Sequence, residues 1–337
     1  MVGAAGSFRG AAGDRGCVCG SPLKTLMPWK NVNRRKRMDC SEEAKKVHGF
    51  DSQLSLVLAT DLSERSDRAF DRALRMAREH RARLTIVYVI DDALPAEIGQ
   101  RLHGEAMDFI NHQIDASKIK GHADIQVRLV RGRVHQTIIE QGQDTHAHLV
   151  ILGIHRADAL IDTFRGTTVE RVVRLGDRSV LVVKKKPMRG YRNIVVGIDL
   201  SQPSRYALEY AMRLFPHADF TVLHIKSVPA GRSMRQHKAL ADLGAQSEAR
   251  LLSMIEEITG EMSRDLEIKE FKLKVSMEEG ETVSAVLRHV ESQRPDLLVV
   301  GTHGRSGVKR SLLGSVAERL LSVAPCDVLA VRGRLDE

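Results

Sequence analysis

The stretch Gly301–Ser315, GTHGRSGVKRSLLGS, decides the reading of this chain. It follows the apolar run DLLVV, residues 296–300, and precedes VAERLLSV, residues 316–323, whose apolar positions recur at helical spacing. A buried strand therefore empties into a glycine-bearing loop, and the loop feeds a helix N-terminus. Unpaired amides and the positive end of a helix dipole meet there, which favours a phosphate. Gly301, Gly304 and Gly314 let the main chain approach an anion closely, and Arg305, Lys309 and Arg310 add positive charge. The stretch reads as a nucleotide site.

Working outward, the same module is written twice. LSLVLATDLSERSDRAFDRALRMA from Leu54 matches NIVVGIDLSQPSRYALEYAMRLF from Asn193, and HLVILGIHRADALIDTFRGTTVERVV from His148 matches DLLVVGTHGRSGVKRSLLGSVAERLL from Asp296. The offset is 138 residues from Asp61 to Asp199 and 148 from Gly153 to Gly301, so about ten extra residues fall between these matches in the second copy. They are expected to lengthen the helix around Met234 to Met262. In each copy Asp-Leu-Ser follows an apolar strand, and Ser63 and Ser201 are expected to N-cap the next helix.

Each copy reads as five strands alternating with four helices. Strands are expected near 54–60, 83–90, 124–131, 147–153 and 179–184, then near 193–199, 219–226, 270–277, 296–301 and 326–332. Second-copy helices are expected near 203–215, 234–262, 282–292 and 314–323. Val, Ile and Leu fill the strands without polar alternation, as in a parallel sheet covered on both faces. The fold class is therefore α/β, with two tandem doubly wound domains, each a five-stranded parallel sheet flanked by helices. Ligands on such sheets sit beyond the carboxyl ends of the strands where the winding reverses. If the first and fourth strands of a copy are neighbours, Asp199 and the Gly301 loop face one crevice.

The 337 residues are 42% apolar and 28% charged, ordinary for a globular chain of about two domains. Aromatics at 4% argue against base-stacking platforms. No apolar run approaches the roughly 20 residues that span a bilayer, so no membrane role is expected. Of the net charge of +9, residues 1–50 hold +6, from ten Lys/Arg and four Asp/Glu. Their NRRKR run, Asn33 to Arg37, could meet nucleic acid, but a solvated disordered tail is the plainer reading. Nothing before residue 50 shows helix or strand periodicity, and Met27 or Met38 could be the start. Three of the four cysteines, Cys17, Cys19 and Cys40, lie in the tail without zinc spacing, and Cys326 opens an apolar strand. No continuous apolar leader is seen, so a cytoplasmic setting is expected.

These residues resemble the universal stress protein family in its tandem two-domain form, over roughly residues 52–334. The stretch from Gly301 looks like that family's nucleotide signature: Gly, two residues, Gly, nine residues, then Gly-Ser or Gly-Thr. The resemblance implies domains at 52–187 and 190–337 behind the 1–50 tail. It also implies homodimers or intramolecular pseudo-dimers, and ATP, with or without Mg²⁺, in nucleotide-binding members. Carried over by position, Asp199 would contact the adenosine and the Ile225 backbone would lie near the adenine. Gly301, Gly304, Gly314, Ser315 and Val316 would hold phosphates and ribose. The first-copy counterparts are Asp61, Val89, Gly153, Gly166 and Thr167.

Two departures stand out. Arg156 replaces the second glycine of the first copy, and either fills the phosphate space of a degenerate site or offers a charge to a phosphate. The third helix of each copy opens on Gly132-Arg-Val134 and Gly280-Glu-Thr282 where family members often show Gly-x-Pro; Thr282 is expected to cap locally.

His303 has no carboxylate orienter or nucleophile at short spacing, so no catalytic residue and no metal ligand set is assigned. Glu170-Arg171 and Glu318-Arg319 recur in both copies and suggest a structural or interface role. An ATP-binding regulatory protein is the leading expectation. Slow ATP hydrolysis on the same fold, or a dimeric adaptor with a basic tail, are the competing ones.

Overall fold

The computed structural model describes residues 50, 53–64, 66–117, 119, 121–154, 167–226, 234–302 and 313–333, with side chains of 234–245 outside the description. Residues 1–49 of the tail, Arg156, Gly166, His303, Gly304, Arg305, Lys309 and Arg310 therefore lie outside the described residues.

The first half runs β1 (Ser55–Thr60), α1 (Asp67–Glu79), β2 (Arg83–Ile90), α2 (Ala96–Ala116), β3 (Asp124–Arg131), α3 (Val134–Asp144), β4 (Leu149–Gly153), α4 (Thr168–Leu175) and β5 (Ser179–Val183). The second repeats it as β6 (Asn193–Ile198), α5 (Gln202–Leu214), β7 (Asp219–Lys226), α6 (Met234–Asp265), β8 (Leu273–Glu279), α7 (Thr282–Gln293), β9 (Leu297–Gly301), α8 (Ser315–Val323) and β10 (Asp327–Val331). The extra residues fall where expected, since α6 has 32 residues and its counterpart α2 has 21.

Strand order is β3-β2-β1-β4-β5-β10-β9-β6-β7-β8 in one ten-stranded sheet. Within each half every pairing is parallel. Alternate strand residues feed two apolar layers. Leu56 and Leu58 face α1, and Ile194 and Val196 face α5, in a layer that also takes in α2 and α6. Val57, Ala59 and Val195 face the opposite layer, which holds α3, α4, α7 and α8. Both layers run uninterrupted from one half into the other.

The halves meet where β5 pairs antiparallel with β10, Leu181 opposite Leu329. These two are repeat equivalents, 148 residues apart, so a pseudo-two-fold axis passes through the pair. Sequence alone did not show this joint. Asp327 sits beside it with no solvent exposure. Its Oδ1 accepts from the Lys184 and Lys185 amides at 2.8 and 2.9 Å, and its Oδ2 accepts from the Tyr191 hydroxyl at 2.6 Å. Arg72 of α1 completes the cluster, 3.6 Å from the carboxylate, with its guanidinium carbon 3.9 Å above the Tyr191 ring. Burial, reinforced by Asp327, pushes the Tyr191 hydroxyl well above its ordinary pKa, so it stays a donor.

The same positions across the axis carry different chemistry. Ser179 stands for Asp327 and Tyr210 for Arg72 at the repeat offsets; Tyr210 donates to the His148 carbonyl at 2.6 Å, and the Phe50 ring meets it edge-on. Lys184 Nζ donates to the Ala324 carbonyl at the end of α8, and its equivalent Arg332 donates to the Val173 carbonyl in the last turn of α4. The joint is thus symmetric in backbone and one-sided in charge.

Removing the Asp327 carboxylate leaves a buried guanidinium uncompensated. Asp327→Ala should lower unfolding free energy in urea by about 3–5 kcal/mol. Adding Arg72→Met should recover only part of the loss, because the Lys184 and Lys185 amides would still lack an acceptor. Full recovery would mean that the ion pair, and not the grip on the linker, is the essential contact.

Candidate functional site

The carboxyl ends of β9, β6 and β7 stand side by side. Val196 pairs with Val299 and Ile198 with His224, which sets Asp199, Ile225 and Gly301 along one rim. After β6 the chain winds outward through β7 and β8, then returns across to β9. The switch point lies between β6 and β9, with Asp199 and Gly301 on its two sides. Neighbouring strands are about 4.8 Å apart, so the three positions span roughly 10 Å. The first half places Asp61, Val89 and Gly153 in the same way on β1, β2 and β4.

A strained turn aims each aspartate. Leu200 has φ 65° and Leu62 φ 59°, left-handed conformations that cost a side-chain-bearing residue roughly 1–2 kcal/mol. Both leucines pack against the apolar layer, which offsets that strain. In the second half the Ser201 amide donates to Asp199 Oδ1 at 3.0 Å, and the Ser201 side chain caps α5 by accepting from the Ser204 amide. In the first half the Ser63 amide likewise donates to Asp61 Oδ1 at 3.1 Å, but Ser63 does not cap α1. Its carbonyl accepts from the Ser66 amide, and the helix begins three residues later than the cap expectation. Pro203 in the opening turn of α5 pre-sets the helical φ immediately after Ser201; the first half has no proline there.

On β7, Ile225 is half-buried beside His224, which is buried and whose Nδ1 donates to the Ile198 carbonyl at 2.8 Å. That bond ties the rim of β7 to β6, and sequence reading passed over it. Thr302 was passed over too. Its amide donates to the Val331 carbonyl at 3.0 Å and its carbonyl accepts from the Gly314 amide at 2.9 Å, so the glycine loop leaves and returns at one point.

Gly314 is the N-cap of α8 with φ −62° and ψ 141°, a conformation open to any residue. Its glycine is therefore not required by backbone angle. A methyl group there would come 3.4 Å from the Thr302 carbonyl, and the cap offers no side-chain acceptor. Ser315 and Val316 are exposed in the first turn, and among the described residues no side chain takes their amides. In the first half the same Ser/Thr-x-x-Glu spacing behaves differently. Thr167 is itself the N-cap of α4, and its hydroxyl accepts from the Glu170 amide at 3.1 Å. One half caps itself; in the other, no described side chain caps the helix.

The repeated glutamates are structural, as their recurrence suggested. Arg174 bonds Glu170 at 2.6 Å and reaches Glu318 at 3.6 Å, bridging α4 and α8 across the joint. Thr282 is not the cap of α7: Glu281 is, with Oε1 accepting from the Val283 amide at 3.0 Å and Oε2 from the Ser284 amide at 2.8 Å. A carboxylate one residue earlier reaches both amides and outcompetes the hydroxyl. Among the described residues no group of side chains has metal-ligating geometry, and no helix is long and apolar enough to cross a membrane.

The family model described as the universal stress protein family matches residues 55–184 and again residues 190–332. The chain belongs to the universal stress protein family. A universal stress protein of Methanocaldococcus jannaschii is 30% identical over 147 residues, covering 42% of this chain and 82% of its own length. One from Synechocystis is 22% identical over 305 residues, covering 82% of this chain and 99% of its own. The crystal structure of a universal stress protein from Archaeoglobus fulgidus matches with a TM-score of 0.61 at 20% identity, covering 82% of this chain and 98% of that one. The long matches carry both halves, so the tandem arrangement is shared by these relatives; the last speaks for the fold alone.

The two helix starts give a direct stability test. Thr167→Ala removes a working cap and should cost about 1 kcal/mol. Gly314→Asp supplies a carboxylate to open amides and should add about 1 kcal/mol to the ligand-free protein, measured by urea unfolding. A loss of stability in Gly314→Asp would mean the amides already have an acceptor.

Proposed function

We propose that the second universal stress domain, residues 190–337, binds ATP, with or without Mg²⁺, and that the protein is a ligand-linked regulator. In this reading the Asp199 carboxylate takes the ribose hydroxyls and the Ile225 backbone faces the adenine. The open amides of Ser315 and Val316, with Gly301 and Gly314, take the phosphates; Gly304 belongs to the same loop, outside the described residues. The observation that carries the reading is the missing cap on α8. An uncapped helix start beside a topological switch point, fronted by a carboxylate and a glycine return, suits a polyphosphate with a sugar attached. The first domain, residues 52–187, is the contrasting case, because Thr167 caps its helix, the hydroxyl accepting from the Glu170 amide. We assign it no ATP.

Binding would be felt as order in the Gly301–Ser315 loop and as stability. At 100 times its dissociation constant, ATP bound only by the native state adds about 2.7 kcal/mol. Asp199→Ala should weaken ATP binding roughly tenfold or more by removing charged hydrogen bonds, while Asp61→Ala should leave it unchanged. Gly314→Asp should abolish the ATP-induced rise in melting temperature through both occupancy and charge. Equal effects of Asp199→Ala and Asp61→Ala would remove the assignment to the second half.

A further inference from the structure

We propose that the outer edge of β8 pairs antiparallel with β8 of a second copy of this chain, centred on Ser276, and so joins two ten-stranded sheets. β8 is the last strand of its sheet and is bonded on one side to β7. The Phe220 amide donates to the Lys272 carbonyl at 2.8 Å, and the Gly280 amide donates to the Lys226 carbonyl at 3.1 Å. These two bonds fix the phase. Alternate residues of a parallel strand bond their neighbour, so Lys274, Ser276 and Glu278 turn their backbone groups to β7. Leu273, Val275, Met277 and Glu279 turn theirs to the open edge, where none of the described residues takes them. The edge runs from Leu273 to Glu279 without a bulge or a proline, and Val275 in its middle is 37% exposed.

The edge is complementary to itself. Outward groups must meet outward groups, so a two-fold pairing of β8 with its copy has to be centred on a residue. Centring on Ser276 sets Lys274 opposite Glu278 of the second copy and Val275 opposite its Met277, each twice. Glu278 faces α7, where its Oε1 bonds His289 Nδ1 at 2.6 Å, and its Oε2 has no partner among the described residues. Lys274 lies on the same face by alternation, exposed and without a carboxylate partner among the described residues. Moving the centre to Val275 or Met277 loses both charge pairs. β3, the other outer strand, is the repeat equivalent and is unsuited to this pairing. Arg128 stands 148 residues before Ser276, so the same register would set two guanidiniums against each other. The β3 charges are also engaged within the chain, Arg128 with Gln141 at 2.9 Å and Asp124 with Arg83 at 3.3 Å. One open edge per chain gives a closed two-fold dimer and not a filament.

The test is sedimentation velocity of the full chain, with cross-linking to read the register. One strand pair makes a small interface, so the dimer is expected to grow in between about 1 and 100 µM. Lys274→Glu sets like charges opposite each other and should weaken association about tenfold. Val275→Pro removes an outward amide without touching a β7 bond and should abolish association; Lys274→Glu carries the test if that variant does not fold. Cys326 is buried, and Cys17, Cys19 and Cys40 are replaced by serine for the cross-linking. Ser276→Cys should then oxidise to a covalent dimer, because residues facing each other across the axis bring their Cα atoms to about 4.5 Å. Lys274→Cys, about 13 Å from its own copy, should not. A chain that stays monomeric at about 100 µM, a dimer indifferent to Lys274→Glu, or linking through Lys274→Cys in place of Ser276→Cys would overturn the proposal.

Discussion

The buried Asp327 carboxylate is the constraint on which the arrangement of the two halves depends. It collects two linker amides, a tyrosine hydroxyl and a guanidinium from the opposite half at the one antiparallel joint in an otherwise parallel sheet. The carboxylate is fully partnered and the guanidinium also donates to the Arg189 carbonyl at 2.9 Å, leaving only the Arg72 Nε without an acceptor, and a buried charge is tolerated when it is paired in this way. With β5 and β10 joined, both apolar layers become continuous and the inner sheet edges disappear. The rims at β1–β4 and β6–β9 then point in opposite directions about the axis through Leu181 and Leu329. Each rim acts on its own.

Duplication supplies two copies of every helix start, and divergence has treated them unequally. In the first half α4 is capped by Thr167 while α3 opens on Arg133, which makes no cap hydrogen bond. In the second half α7 is capped by Glu281 while α8 opens on a bare glycine. Among the described residues, each half therefore satisfies one of these two helix starts from its own sequence and leaves the other without a side-chain cap. The halves have made opposite choices. An open helix start is a standing cost in stability, and its retention at α8, beside the switch point, is the physical basis of the ATP proposal.

Much of the fold was legible in residues. The Val- and Ile-rich runs named all ten strands to within a few residues, because strands buried on both faces leave no room for polar side chains. The ten extra residues went into α6 as their position implied. The joint between halves was not legible: Leu181 and Leu329 look like any core residues, and only the register shows that they are self-paired. Capping was legible in part. Ser201 followed by Pro203 capped as read, whereas Ser63 does not cap and α1 begins only at Asp67. The Thr167 and Ser315 motifs share one pattern yet differ by one residue in where the helix begins. In the second half Thr302 joins the two ends of the preceding loop, through its amide to Val331 and its carbonyl to Gly314, and such loop geometry is not written in the motif.

Calorimetric titration of the full chain with ATP bears most directly on the central claim that the uncapped start of α8, and not the Thr167-capped start of α4, takes the nucleotide. One nucleotide per chain is expected, with the heat lost when α8 is given an acidic cap. Two nucleotides per chain, or no binding at millimolar ATP, would contradict it.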